Sequence, residues 1–133
     1  MSMVHDNIIK SYHVDFENKD LTMKTEYETP TLHEKTDVVF TGYLTHIFST
    51  EMECNIIFDI EEWPLALFLK EESELLKDEK NYGWPISYDT EADLIGFFTI
   101  NGYKVFNISS SCGLHGYVLA KSMEIKVIKL HGE

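Results

Sequence analysis

Apolar side chains in this chain keep a period of two over most of its length and leave it in one stretch only, and that switch constrains the fold more than any other feature. Period two marks half-buried strands, whereas a period of roughly 3.6 residues marks an amphipathic helix. In the first run Ile8, Lys10, Tyr12, Val14 and Phe16 share one face, and Ile9, Ser11, His13 and Asp15 share the other. In the second, Leu21, Met23, Thr25 and Tyr27 oppose Thr22, Lys24 and Glu26. The polar stretch Glu17-Asn18-Lys19-Asp20 lies between them, so the two runs read as a hairpin. A connecting loop with Pro30 leads to a third strand region, Asp37 to Phe48. Gly42 inside that region signals a bulge or a close backbone approach. Asn55 to Ile60 is apolar on both faces at its middle, as a central strand is.

The period then changes. Leu65, Phe68, Leu69, Leu75 and Leu76 form one helical stripe, with Pro64 at its first turn and Glu61 and Glu62 beside its positive end. Lys77 and Lys80 lie towards the other end, and Asn81 and Gly83 are stop signals. A second helix is capped by Asp89 or Thr90, buries Leu94, Ile95 and Phe98, and stops at Asn101-Gly102. Gly96 inside it costs about 1 kcal/mol relative to alanine. Strand patterns resume at Tyr103 to Ile108, followed by the small-residue loop Ser109 to Gly113. Gly116 to Ala120 and Met123 to Leu130 follow as one bent strand or two short ones. A length of 133 residues predicts a single domain spanning residues 1–133. The order of patterns predicts an α+β fold: a curled or partly closed antiparallel sheet of about six strands, with two helices inserted between the fourth and fifth strands.

Charge narrows the partners. Twenty-three carboxylates oppose eleven cations, all lysine, for a formal net charge of −12. There is no arginine to offer the planar fork that grips phosphates and guanine edges. Nucleic-acid and anionic-membrane binding are therefore not expected. The acid is concentrated: residues 51–100 carry thirteen carboxylates and three lysines, whereas residues 101–133 carry two carboxylates and four lysines. On the first helix the apolar stripe leaves Glu71, Glu74 and Asp78 facing water. Trp63, Tyr82 and Trp84 cluster around the prolines that bracket that helix, where aromatics either anchor a partner or pin the helix to the sheet.

Catalytic signatures are sparse. No glycine-rich phosphate loop and no G-x-S-x-G elbow is present, and the histidines lack metal-ligand spacing, so neither a cofactor nor a metal is expected. Cys112-x-x-His115 is the single pair with nucleophile-and-base chemistry, in a loop that also reads as a simple turn. Cys54 and Cys112 are expected to be free thiols and small buried hydrophobes, and His46 a hydrogen-bonded core residue. The N-terminal residues lack a basic stretch followed by an apolar one, which predicts a cytoplasmic location.

Tyr82-Gly83-Trp84-Pro85, Asn55 to Glu62 and the run from Ser109 to Ile125 resemble a family of small uncharacterised proteins from AT-rich Gram-positive bacteria. In size, acidity and lack of catalytic motifs the chain is also similar in style to immunity proteins of bacterial toxin systems. The resemblance assigns no functional residues. The expected function is binding: docking of a basic protein partner through Glu71, Glu74, Asp78, Tyr82 and Trp84. The alternatives are a small enzyme built on Cys112 and His115, or an acidic mimic of nucleic acid.

Overall fold

The computed structural model describes residues 4–132, with side chains through Ile128. Eight strands form one antiparallel sheet: β1 (Ile8–Asp15), β2 (Asp20–Thr29), β3 (Leu32–Thr41), β4 (Thr45–Ser49), β5 (Ile56–Trp63), β6 (Lys104–Cys112), β7 (His115–Ala120) and β8 (Ser122–Gly132). Between β5 and β6 the chain forms α1 (Leu65–Glu71), α2 (Ser73–Glu79), one 3₁₀ turn (Lys80–Tyr82) and α3 (Glu91–Asn101). The fold is therefore α+β, but with eight strands rather than about six and three helices rather than two. Those helices follow the fifth strand, not the fourth. No helix among the described residues is long and apolar enough to cross a membrane.

Each difference has a local cause. Pro30 and Thr31 are a tight connection, not part of a long loop, so β2 and β3 pair in register from Asp20↔Thr41 to Thr29↔Leu32. The third strand region divides because Gly42 turns at φ +63. A Cβ there would stand 2.6 Å from the Lys121 side chain. The chain crosses itself at that point: Lys121 N–H donates to Thr41 O at 2.9 Å, and Leu44 N–H to Leu119 O at 2.8 Å. The strand order runs β4-β7-β6-β5-β1-β2-β3-β8. Its two end ladders, β4–β7 and β3–β8, are halves of one long antiparallel ladder bent at Gly42 and Lys121. The predicted first helix also divides, at Glu72, whose backbone leaves helical geometry at φ −111 and ψ 28. The second starts at Thr90 in a reciprocal capping box with Asp93 and ends at the left-handed Gly102.

The two faces of the sheet carry separate clusters. The inner face buries Leu21, Met23, Val38, Phe40, Ile57, Phe106 and Ile108 together with Val118 and Ala120. Along β7 the alternate residues Tyr117 and Leu119 point the other way, where with Val105 they meet Phe68, Leu69, Leu76, Leu94 and Phe98 from the helices. A strand buried on both faces reads as a near-continuous apolar run, as Tyr117-Val118-Leu119-Ala120 does. In the predicted stripe Phe68, Leu69 and Leu76 are buried and Leu65 and Leu75 half-buried. Ile95 departs from its prediction and is 39% exposed, because α3 seats on the sheet through Leu94 and Phe98.

Beside the inner cluster His46 is half-buried, with Tyr43 Oη 2.7 Å from its Nδ1 and the rings of Phe48 and Tyr12 at 4.7 and 5.8 Å. Burial holds the imidazole below its ordinary range, against a smaller opposing pull from Glu51. Burial likewise raises the hydroxyls of Tyr43 and Tyr12, the latter donating to Glu51 at 3.0 Å. A histidine kept neutral in the fold but protonated in the unfolded chain stabilises above its unfolded pKa of about 6.5, and that contribution is lost as pH falls. Thermal melts from pH 7.5 to 5 are expected to show a falling melting temperature in the wild type and a flatter profile in His46→Gln. Parallel profiles would remove His46 from the acid limb.

Candidate functional site

Each predicted site residue has a clear position. Glu71, Glu74 and Asp78 are exposed on α1 and α2, and none of them forms an ion pair among the described residues. The apolar stripe is turned inward, so their charge remains on the outside of the helical cap. Tyr82, at the end of the 3₁₀ turn, is 83% exposed. Trp84 behaves differently: it is half-buried, lies edge-on to Phe68 at 6.5 Å, and donates its indole N–H to Thr45 Oγ1 at 2.9 Å. It pins the cap to β4 and is not a free anchor.

Cys112 and His115 end β6 and begin β7, with Gly113 turning between them at φ +84. Both side chains are exposed. His115 Nδ1 lies 3.4 Å from Gly113 O, and Cys112 has no hydrogen-bond partner among the described residues. The loop is held by its neighbours: Ser110 Oγ donates to Leu114 O, and Leu114 N–H donates to Asn55 Oδ1 at 2.8 Å. Asn55, itself buried, also bonds both backbone groups of Met52, at 3.0 and 2.8 Å, and so ties the β4–β5 loop to this turn. These contacts are those of a turn that satisfies its backbone, not of a thiol activated by an imidazole. Cys54 and Cys112 are both free and both exposed, which corrects their expected burial; each lies in a connection or at a strand end rather than on an inward face.

Between the helical cap and the outer face of β7 is a cavity of about 210 Å³ that no single stretch of sequence signals. Glu72, Tyr117, Asn107, His115 and Ser49 supply its polar lining, and Leu75 part of its apolar wall. Glu72 lies at the α1–α2 break, and Tyr117 Oη donates to its Oε2 at 2.6 Å. Burial, then the adjoining Glu72 carboxylate, pushes the Tyr117 hydroxyl far above its ordinary range. Phe68 and Trp63 meet the Tyr117 ring at 5.0 and 5.5 Å and fix its orientation. Asn107 Nδ2 donates to Ser109 Oγ at 3.2 Å, leaving its carbonyl oxygen as an acceptor. Reasoning from sequence missed Glu72, Tyr117 and Asn107. The available signal was modest: an acid and a tyrosine in elements whose apolar faces must meet.

A larger depression of about 410 Å³ between α1 and α3 is walled by Leu65, Leu69 and Ile95. Lys70 and Glu91 are its charged residues. Among the described residues no three histidine, cysteine or acidic side chains converge on a metal-sized site. Comparison with family models, with curated proteins and with solved structures finds no match to this chain.

Proposed function

We propose that this chain is a binding protein that docks a basic protein partner on its helical cap, in the style of an immunity or inhibitor protein. The observation that carries the reading is the set Glu71, Glu74 and Asp78: exposed, without an ion pair among the described residues, and carried on helices whose apolar stripe packs on the sheet. A fixed acidic face steers a cationic partner and raises its association rate. Tyr82, exposed at the end of the same cap, supplies an aromatic contact. The partner is read as cytoplasmic with the protein, and a Cys112 thiol with no hydrogen-bond partner among the described residues argues for binding over thiol catalysis.

A lysine-rich synthetic peptide serves as the test partner. Glu71→Lys with Glu74→Lys is expected to slow its association by about tenfold and to flatten the salt dependence, with the melting temperature nearly unchanged. Glu17→Lys with Glu28→Lys makes the same change in net charge on exposed hairpin positions. Equal slowing by both pairs would reduce the acidic cap to a solubility feature.

A further inference from the structure

We propose that the cavity between Glu72 and Tyr117 is the receptor for a lysine side chain of the docked partner; this rests on the docking reading and gives it a chemical anchor. Glu72 has one carboxylate oxygen held by Tyr117, and its Oε1 has no partner among the described residues. Asn107 presents a carbonyl oxygen whose amide nitrogen is already committed to Ser109. Ser49 presents a hydroxyl with no partner among the described residues. The lining thus offers several acceptors, with the exposed His115 as its one further polar ring, and no lysine. An ammonium group is a compact charge with three donors and no acceptor, the complement of this set. A carboxylate or phosphate would meet an unpaired like charge there.

Size and surroundings agree. At about 210 Å³ the cavity is smaller than a pocket for a drug-sized ligand, and it suits a single side chain. Ile47 and Leu75 give an apolar wall for a methylene stem, so the charged end reaches Glu72 while the stem is covered. The Tyr117 hydrogen bond holds the carboxylate in place before any ligand arrives, which lowers the ordering cost of binding. Glu72, which lines the cavity, directly follows Glu71 of the docking face in the chain.

The probe is N-acetyl-lysine methylamide, followed by two-dimensional NMR on the full chain. Saturable shifts are expected at the Gly116 and Tyr117 amides, with a Kd on the order of 1–10 mM. N-acetyl-norleucine methylamide, which keeps the stem and loses the charge, is expected to give no saturable shift. Glu72→Gln retains an oxygen for the Tyr117 hydroxyl and is expected to weaken lysine-probe binding at least tenfold, roughly 1.4 kcal/mol. Asn107→Asp adds charge to the same lining and is expected to tighten binding, a gain that structural damage does not produce. Asp78→Asn lies on the docking face outside the lining and is expected to leave the affinity within about twofold, so the cavity is tested apart from the docking face. Equal binding of the norleucine probe, or an unchanged affinity in Glu72→Gln, would overturn the assignment whatever the peptide experiment shows.

Discussion

Replacing Phe68 by alanine is expected to lower the unfolding free energy by about 3–5 kcal/mol, the range for large-to-small changes at fully buried aromatic positions. Phe68 is 0% exposed and lies where both halves of the cap converge, touching the rings of Tyr117 and Trp84 at 5.0 and 6.5 Å. The lost area and the cavity left behind act together, because neither β7 nor Trp84 can move inward: one is hydrogen-bonded in the sheet and the other to Thr45. The loss should appear in the urea midpoint with a nearly unchanged m-value. A loss below about 1 kcal/mol would mean that this helix face is not packed on the sheet and is open to a partner.

A comparable loss, about 3 kcal/mol or more, is expected for Gly116→Ala, from a different cause. Gly116 stands opposite Phe48 in the β4–β7 ladder at φ +150. A Cβ there would sit 2.0 Å from Ile47 O and 3.0 Å from Phe48 Cα, both backbone atoms that no rotamer change can move. Either β4 separates from β7 or the methyl group overlaps a carbonyl. Gly83→Ala is the control: it shares a positive φ, +74, but nothing lies within 4 Å of the added carbon. It is expected to cost only the local backbone strain, about 1 kcal/mol. Equal losses in the two variants would show that conformation, and not the approach of β4, sets the requirement at Gly116.

What was legible in the sequence is what short-range chemistry decides. The change of period located the helical cap, and the candidate caps Asp89 and Thr90 marked the start of α3, where Thr90 is the one used. The turn between β1 and β2 forms one residue earlier than read, over residues 16–19, held by the Asp15 carboxylate, which accepts from the Glu17 and Asn18 N–H groups at 3.1 and 3.0 Å. Those bonds keep the Asp15 carboxyl below its usual range. Features set by distant residues were not legible. The break at Glu72 coincides with its bond to Tyr117, 45 positions away. The division of the third strand depends on Lys121 crossing Gly42. Trp84 looked like an anchor because its partner, Thr45, lies 39 residues earlier. Gly96, read as a cost to α3, is not required by any close approach, since a Cβ there would meet nothing within 4 Å. The cavity draws residues from four separate elements, and each is ordinary alone.

The crossing at Gly42 and Lys121 also bears on how the chain reaches this fold. The rung between Thr41 and Ser122 joins residues 81 apart. Loop-closure entropy must be overcome before such a rung contributes anything, so the native contact order is high and closure is the slow event. The hairpins β1–β2 and β2–β3 can form while the polypeptide is still emerging from the ribosome, since their pairing is local. The second edge of β3 cannot be covered until β8 has been synthesised. During that interval Val38 and Phe40 belong to a sheet with an open border, the kind of template on which nascent chains aggregate. A delay in laying β8 against β3 is therefore expected to lower the folded yield even where the finished core is stable.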